Sequence, residues 1–336
     1  MNSPIAIIGA GGWGTAIAIT MARTDNKDGE IRLWAFEPYL VETMIATREN
    51  PIYLPGASVP DSVRISNSMQ DVLSGAGIVI IAVPSHIFRS VLKQMVPMLQ
   101  PEMYFVSASK GIENGTLMRM SEVIEDVVRS AFVPKVAAIS GPTFAPEVAH
   151  GEPTALAVAS NDEEVRLFLQ RELSRPRFRL YTNPDVIGVE IGAAVKNIIA
   201  IAAGVVEGLG LGSNATAALI TRGLAEITRL VVACGGRRET LSGLAGLGDL
   251  VLTSYGSLSR NRRVGIALGQ GKQIDEVISH MRMVAEGVKT AKSTVELARK
   301  LSVEMPIAEK IYSVLYEGLK PQDAIADLME RKLKEE

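Results

Sequence analysis

Short runs of β-branched and small apolar residues alternate with stretches of helical amphipathic spacing up to about residue 180. The apolar runs are nearly continuous, which is typical of strands buried on both faces of a parallel sheet. Their alternation with helices predicts βαβ units and a doubly wound α/β domain. The predicted strands span residues 5–9, 31–35, 63–66 (the weakest), 78–83, 104–108, 136–140, 155–159 and 178–181, and the predicted helices between them include 15–23, 87–95 and 117–129.

After Pro184 the apolar residues keep only helical spacing, and convincing strands disappear. The predicted helices span residues 187–206, 215–234, 249–254, 260–268, 287–301, 305–316 and 321–334. The sequence therefore predicts an α/β plus all-α protein, in which a doubly wound sheet domain, residues 1–188, is followed by an all-helical C-terminal domain, residues 189–336.

The charges of the 336 residues nearly cancel, with 35 basic and 37 acidic side chains. This balance lacks the positive charge typical of proteins that bind nucleic acid or anionic membranes. Cys234, the only cysteine, cannot form an intramolecular disulfide, which fits a reducing compartment. Residues 1–10 lack the features of a signal peptide, and the longest apolar run, 198–206, is about half a membrane span. We therefore expect a cytoplasmic protein without stable membrane insertion.

The first predicted strand runs into a glycine-rich turn and then into a helix of small residues, with the sequence GAGGWGTA. In such a G-x-G-x-x-G turn Gly9 would allow the tight turn, Gly11 the approach of a pyrophosphate, and Gly14 close packing of the helix on the strand. Glycine-rich turns also serve packing alone, but here strand, turn, helix and position agree. The N-terminal domain is therefore predicted to be a Rossmann-like, dinucleotide-binding domain.

Polar residues follow the ends of other predicted strands, where doubly wound sheets bind their ligands. Glu37 lies 23 positions after Gly14, near the spacing of the acid that accepts the adenosine ribose hydroxyl. A solvated turn acid would look the same. A carboxylate here disfavours a 2′-phosphate, which favours NADH without excluding NADPH. Lys110 directly follows another strand and would place an ammonium in this region, unless it is an exposed lysine without a role.

The helical half contains three candidates for chemistry. Lys196 lies in an otherwise apolar helix, where loss of water lowers the pKa of a lysine toward the range that proton transfer needs; the alternative is a lysine whose ammonium reaches water. Asp249 follows a glycine turn and is equally compatible with a helix cap and a catalytic partner. The segment 259–263, SRNRR, combines guanidiniums with a helix start and suits a phosphate, although a solvated basic face or a nucleic-acid patch is the alternative.

Seven motifs occur in order over almost the whole chain: GAGGWGTA from Gly9, AVPS from Ala82, SGPTFA from Ser140, VKN from Val195, LITRGLAE from Leu219, GLGDL from Gly246 and SRN from Ser259. Together they closely resemble NAD(P)-dependent sn-glycerol-3-phosphate dehydrogenases of the bacterial type. The later motifs are much more specific than the glycine turn alone.

The resemblance implies reversible reduction of dihydroxyacetone phosphate to sn-glycerol 3-phosphate with NAD(H) or NADP(H), feeding phospholipid synthesis. It implies that Lys196 is the proton donor in reduction and the acceptor in oxidation, and that Lys110, Asp249 and Thr253 orient the carbonyl. The candidate substrate-binding residues are Lys110, Gly141, Thr143, Lys196, Asn197, Asp249, Ser259, Arg260 and Asn261. Together with the residues argued above, the candidate cofactor-binding residues are Gly9, Gly11, Gly12, Trp13, Gly14, Phe36, Glu37, Pro84, Lys110, Ala145, Arg260, Val284 and Glu286.

Two departures from the family pattern concern the cofactor. Gly12 stands where serine is frequent, which removes a hydroxyl near the phosphates, and Phe36 replaces a residue that is often polar or basic, which weakens the case for NADPH. We expect no metal ion, and a homodimer because closed dimers are the commonest soluble oligomers.

Two alternatives to this function remain at the level of sequence. One is a two-domain dehydrogenase acting on a hydroxy acid or sugar acid, which would use the arginine cluster for a carboxylate. The other is a non-catalytic NAD(H)-sensing protein. Such a sensor need not keep both lysines, Asp249 and the arginine cluster, so their joint presence counts against it.

Overall fold

The structure is a computed structural model that describes residues 3–23, 30–279, 281 and 285–332. The chain divides into two compact units: unit 1 lies within Met1–Lys110 and Met118–Glu190, and unit 2 within Gly111–Leu117 and Ile191–Glu336. The short segment Gly111–Leu117 is anchored in unit 2, where Ser293 Oγ donates a hydrogen bond to the Ile112 carbonyl at 3.0 Å. The division after Glu190 lies two residues beyond the boundary expected from sequence, and the separate role of each domain stays a prediction.

The strands of the described residues are β1 Ile5–Ile8, β2 Ile31–Trp34, β3 Glu49–Asn50, β4 Leu54–Ser58, β5 Val63–Ser66, β6 Ile78–Ile81, β7 Tyr104–Ser107, β8 Lys135–Ser140, β9 Thr154–Ala159 and β10 Phe178–Asn183. The helices are α1 Gly12–Ala22, α2 Pro38–Thr47, α3 Met69–Leu73, α4 Phe88–Met95, α5 Met120–Val128, α6 Ala145–His150, α7 Glu163–Leu173, α8 Val186–Gly208, α9 Ser213–Ala233, α10 Asp249–Tyr255, α11 Arg260–Gly269, α12 Ile274–Ser279, α13 Glu286–Lys300, α14 Pro306–Tyr316 and α15 Pro321–Met329.

Unit 1 is built on one eight-stranded sheet with the order β10-β9-β8-β7-β6-β1-β2-β5. Its two faces are both buried, because successive residues of a strand point to opposite sides. In β1, Ile5 and Ile7 pack into a core with α1, α2, α6 and α7, whereas Ala6 and Ile8 pack into a second core with α3, α4 and α5. This double burial explains the nearly continuous apolar runs of the sequence and confirms the predicted doubly wound domain.

Several details of the secondary structure differ from the sequence prediction, among them the short helix α12, which the predicted helices do not include. Strand β9 runs antiparallel to β8 and parallel to β10, so the sheet is not uniformly parallel. The small antiparallel hairpin β3–β4 was not predicted, because Pro51, Pro55 and Gly56 interrupt any strand pattern around it. Helix α15 ends at Met329 rather than continuing through Lys332, and the last residues of that prediction lie outside the described residues.

Unit 2 is helical, and no strand occurs among its described residues. Helix α8 packs closely against α11, since a Cβ at Gly204 would lie 2.0 Å from the Arg262 carbonyl oxygen and one at Gly265 2.0 Å from that of Ile201. Only glycine permits backbones to approach this closely. The contact fixes the start of α11, with its polar residues, beside the middle of α8.

Helix α8 is the one helix of the described chain that is long and apolar enough to cross a membrane by length and composition. Within this structure, 94% of its most apolar window is buried. A buried core helix of a water-soluble protein has the same composition, so the apolar character of α8 is explained by packing.

Candidate active site

The glycine turn between β1 and α1 has the backbone that the sequence motif predicts. Gly9 has a φ of 116°, a conformation that residues with a side chain rarely adopt. A Cβ at Gly14 would lie only 1.8 Å from the Gly9 carbonyl oxygen. These two glycines are therefore needed by the fold of the turn itself.

Gly11 plays a different part, because a Cβ at this position would meet no atom within 4 Å. Gly11 is the N-cap of α1, no side chain caps this end, and the first turn carries no acidic residue. Free backbone N–H groups and the positive end of the helix dipole favour an anion. The open space and these donors fit the pyrophosphate of a dinucleotide.

The other cofactor candidates of unit 1 differ in how they face this turn. Ala145 begins α6, and its Cβ lies 3.7 Å from the position of a Cβ on Gly12. The Trp13 ring is half-buried and packs toward Phe178, with ring centroids 6.4 Å apart, so its backbone rather than its ring belongs to the turn. Phe36 is 74% exposed at the end of β2.

Three substrate candidates of unit 1 meet at one carbonyl oxygen. Lys110 Nζ and Thr143 Oγ1 each donate a hydrogen bond to the Gly141 carbonyl, both at 3.1 Å. Lys110 follows β7 and Gly141 follows β8, and these strands are parallel neighbours. Lys110 is therefore held at the carboxyl end of the sheet, which excludes a lysine that only reaches into solvent. Pro84 follows β6 at the same end and precedes a single helical turn, Ser85–Ile87.

In unit 2, Lys196 is buried and bonded to two of the predicted catalytic residues. Its Nζ donates to Asp249 Oδ1 at 2.7 Å and also to Thr253 Oγ1, whose hydroxyl lies 3.2 Å from the same carboxylate oxygen. Lys196 is 5% and Asp249 1% exposed. Burial disfavours the ammonium, whereas the adjacent carboxylate stabilises it. The alternative of a lysine whose charged group lies in water is therefore wrong.

Asp249 does not act as a helix cap, which was the alternative to a catalytic partner. It is the first residue of α10, its N-cap is Gly248, and no side chain caps that helix. The preceding residues, Leu244–Gly248, form a π-helical turn, a local feature often found at functional sites. This turn directs the Asp249 carboxylate toward Lys196, which lies on α8.

The polar residues at the start of α11 form a connected network. Asn261 Nδ2 donates to Asn197 Oδ1 at 2.9 Å, and Asn261 Oδ1 accepts from the Gly287 N–H at 3.0 Å. Ser259 is the N-cap of α11, where its hydroxyl accepts from the Arg262 N–H. Asn261 thus ties α8, α11 and α13 together and holds Asn197 in place.

The arginines of this segment take separate positions. Burial lowers the pKa of Arg260, an effect that the charge of Glu286 opposes. Arg262 instead pairs with Glu207 of α8, and Arg263 is exposed. The charge of Glu286 thus acts on Arg260, whereas Val284 lies outside the described residues. The cofactor role of these residues stays a prediction.

Sequence reasoning missed Asn50, which holds the glycine turn, and Tyr53, which holds Glu37. Asn50 Nδ2 donates to the Ala10 carbonyl at 2.8 Å and to Thr15 Oγ1 at 2.9 Å, while Tyr53 Oη donates to Glu37 Oε1 at 2.9 Å. Glu37 is thus not a turn acid bonded only to water. The segment that carries them, 49–56 or ENPIYLPG, combines two prolines and a glycine and has no periodic pattern, so no sequence signal pointed to either residue.

The described part of the chain contains no group of three or more His, Cys, Asp or Glu side chains suited to a metal ion.

Models of one enzyme family match most of the chain. The N-terminal model of NAD-dependent glycerol-3-phosphate dehydrogenase matches residues 4–166, and the C-terminal model of the same family matches residues 185–326. The chain belongs to this family. Its membership confirms the predicted resemblance and enzyme class, an NAD(P)-dependent oxidoreductase.

Individual relatives of the family agree over nearly full length. The glycerol-3-phosphate dehydrogenase [NAD(P)+] of Koribacter versatilis is 54% identical over 330 residues, covering 98% of this chain and 97% of its own. That of Geobacter sulfurreducens is 50% identical over 336 residues, covering 100% and 99%. The crystal structure of the glycerol-3-phosphate dehydrogenase from Coxiella burnetii has a TM-score of 0.93 and 42% identity, covering 98% and 99%. These matches confirm the predicted fold class and disfavour both a hydroxy-acid enzyme and a non-catalytic sensor.

Proposed function

We propose that the chain interconverts dihydroxyacetone phosphate and sn-glycerol 3-phosphate, with unit 1 binding NAD(H) or NADP(H) and Lys196 acting as proton donor and acceptor. The observation that carries this proposal is the buried contact of Lys196 with Asp249 and Thr253 in a chain of this family. Buried ionisable groups with a specific charged partner are frequent at functional sites, and family membership makes this reading the favoured one for Lys196.

Reduction of a ketone requires a hydride at carbon and a proton at oxygen. When bound, NAD(P)H supplies the hydride. Lys196 Nζ donates the proton to the oxygen as it becomes an alkoxide, and in oxidation it takes the proton of the alcohol. The carboxylate of Asp249 and the hydroxyl of Thr253 orient Nζ for both directions. Lys110, Gly141 and Thr143 contribute to binding the substrate.

The phosphate of the substrate would be bound by the segment that begins α11. Arg260 supplies a guanidinium that burial makes more effective toward an anion, and Asn197 and Asn261 are already fixed by their mutual hydrogen bond. Ser259 contributes mainly by capping α11, which sets the direction of Arg260 and Asn261. Because the phosphate and the reacting carbonyl belong to the same substrate molecule, binding of the phosphate also positions the carbonyl.

We also propose a cytoplasmic homodimer without a metal ion or stable membrane insertion, whose product supplies phospholipid synthesis. The burial of α8 supports the lack of membrane insertion, and the single cysteine supports a reducing compartment.

The proposed reaction is tested by following NADH and NADPH oxidation with dihydroxyacetone phosphate and, in parallel, with carboxylate substrates such as 2-keto acids. We expect turnover with the phosphorylated ketone. Turnover with the carboxylate substrates but not with dihydroxyacetone phosphate would contradict the proposal. It would indicate that the arginine segment 259–263 binds a carboxylate.

The role of Lys196 predicts the effect of Lys196→Ala on the rate. We expect kcat to fall by at least about 100-fold, because a positioned general acid contributes on the order of 10²–10⁴. Binding of NADH, measured by fluorescence titration, should remain, since the glycine turn is unchanged.

Two further variants make this test decisive. Lys196→Ala leaves the Asp249 carboxylate buried without this partner, which can destabilise the protein, so Lys196→Met with Asp249→Asn provides a second inactive variant without an isolated buried charge. Lys310→Met removes a lysine that pairs with Asp327 in the same unit and should keep the rate of the parent. A folded Lys196 variant with near-parental turnover would remove Lys196 from the mechanism.

A further inference from the structure

Glu37, at the end of β2, is held by a residue from another part of unit 1. Tyr53 lies between β3 and β4, and its hydroxyl donates a 2.9 Å hydrogen bond to Glu37 Oε1. Burial, reinforced by the neighbouring carboxylate, raises the pKa of Tyr53 to about 12, so its phenol keeps the proton that this bond needs. The Glu37 side chain therefore has a fixed orientation with Oε2 as its second acceptor oxygen.

The β3–β4 hairpin is itself anchored to the glycine turn. Asn50 is fully buried, donates to the Ala10 carbonyl at 2.8 Å and accepts the Tyr53 N–H at 3.0 Å. The Tyr53 carbonyl oxygen approaches the turn so closely that a Cβ on Gly12 would lie 2.7 Å from it. Asn50 and Tyr53 thus fix Glu37 relative to the turn that would bind the pyrophosphate.

The sequence segments that carry Glu37 and Tyr53 contain acidic residues but no basic ones. Neither the segment 35–47 that carries Glu37 nor the segment 49–63 that carries Tyr53 contains a lysine or arginine, whereas together they carry Glu37, Glu42, Glu49 and Asp61. Arg48, between the two segments, is occupied by hydrogen bonds to the Val59 and Val63 carbonyls and by an ion pair with Asp61. The segment 67–71, which follows the adjacent strand β5, has no basic residue either.

These surroundings favour binding of an adenosine ribose with a free 2′-hydroxyl over one with a 2′-phosphate. A fixed carboxylate accepts a hydrogen bond from a ribose hydroxyl. A 2′-phosphate, with a charge of about −2, would instead meet a carboxylate with no cation from these segments to neutralise it. Without the Tyr53 hydrogen bond, Glu37 could rotate away and relieve this repulsion.

We propose that Tyr53 is a positioning residue that fixes Glu37 toward the adenosine 2′-hydroxyl and thereby makes this protein select NAD(H) over NADP(H). The selection deepens the proposed function and rests on the glycine turn being the dinucleotide site. It assigns to the β3–β4 hairpin a role in choosing the cofactor.

The test is equilibrium binding of NADH and NADPH to the full-length protein, measured by nicotinamide fluorescence without substrate. We expect the parent protein to bind NADH at least about tenfold more tightly than NADPH. Tyr53→Phe should weaken NADH binding by roughly 2- to 10-fold, the range for one lost hydrogen bond, and strengthen NADPH binding because the repulsion is relieved, so that the preference for NADH narrows.

Two further variants separate positioning from general effects on stability. Tyr39→Phe, the same substitution at a tyrosine of α2 that is 57% exposed, should leave the preference unchanged. Glu37→Gln keeps an acceptor for Tyr53 but removes the charge, and should raise the affinity for NADPH. Equal affinities of the parent for NADH and NADPH, or an unchanged preference in folded Tyr53→Phe, would overturn the inference while leaving the proposed function in place. A parent protein that binds neither dinucleotide would overturn both.

Discussion

Single residues of the glycine turn have distinct tasks that the motif alone does not separate. Gly9 and Gly14 are needed for the protein's own backbone, because of a positive φ in one case and a 1.8 Å approach in the other. Gly11 has a φ of −67°, which alanine also adopts, and open space where its Cβ would lie. The turn can therefore be divided by experiment into a folding part and a binding part.

The pair Gly11→Ala and Gly14→Ala tests this division. We expect Gly11→Ala to change the free energy of unfolding by less than about 0.5 kcal/mol, as for an unstrained surface substitution, but to weaken NADH binding at least tenfold, roughly, by filling the space for the pyrophosphate. Gly14→Ala should lower the free energy of unfolding by about 1–3 kcal/mol or more, the usual range for overpacking. Chemical denaturation and fluorescence titration measure the two quantities, and equal stability of both variants would refute the division.

The sequence indicated Lys196 and Asp249 as unusual, because each places a charge among apolar residues. It left open whether the lysine reached water and whether the acid capped a helix. Their 2.7 Å contact joins residues 53 positions apart, and only the packing of α10 beside α8 brings them together. The spacing of apolar residues along the chain does not indicate which distant residues form such a contact.

At the scale of elements, helix α14 begins on a buried carboxylate of α9. Glu226 accepts hydrogen bonds from the Ile307 and Ala308 N–H groups in the first turn of α14, at 2.8 and 3.3 Å. Burial raises its pKa to about 7, even though these bonds favour the ionised form. The acid binds a proton more tightly in the folded protein than in the unfolded chain, so its contribution to stability depends on pH.

Glu226→Gln tests this dependence. The folded pKa is raised, so the stability that this group contributes is fully present below about pH 4.5 and is lost as the pH rises through about 7. The free energy of unfolding of the variant minus that of the parent should therefore rise by up to about 3 kcal/mol between pH 4.5 and 8. Denaturant unfolding across this range measures the difference, with Glu102→Gln, an exposed carboxylate, as control. A difference that stays flat with pH would contradict the assignment.

Elements with a strong pattern were predicted well, and one without a pattern was missed. The strands of the sheet are apolar throughout because both faces are buried, so their sequences identified them. The β3–β4 hairpin has two short strands with prolines between and within them, and its position depends on the Asn50 contacts with the glycine turn. The reversed direction of β9 likewise depends on sheet assembly, since a buried strand has the same composition in either direction.

At the scale of the whole chain, a net charge of −2 conceals buried charges of both signs. Lys196 lies against Asp249, Arg119 forms a 2.7 Å ion pair with buried Glu190, and the charge of Glu286 acts on Arg260. Near neutrality is thus compatible with buried cationic side chains, such as the proposed anionic substrate would need. The apolar surface of α8 is similarly directed inward.

Cell fractionation tests the burial of α8. We expect the protein to remain in the supernatant after high-speed centrifugation without detergent. The reason is that 94% of the most apolar window of α8 is already buried within the protein, so little apolar surface of this helix is left to contact lipid. The enzyme activity and the polypeptide should both be followed. Recovery of the folded, active protein only in a detergent-extracted membrane fraction would contradict this expectation.

The sequence by itself determined the doubly wound sheet, the helical second half, the glycine turn and the family, because these depend on local periodicity and on short contiguous motifs. The tertiary structure decided which distant residues meet: Lys196 with Asp249 and Thr253, Asn197 with Asn261, and Tyr53 with Glu37. The physical reason is that a hydrogen bond acts over about 3 Å between atoms whose residues can lie anywhere along the chain. Periodicity indicates which face of an element is buried. Only the packing of the folded chain determines which other residues that face contacts.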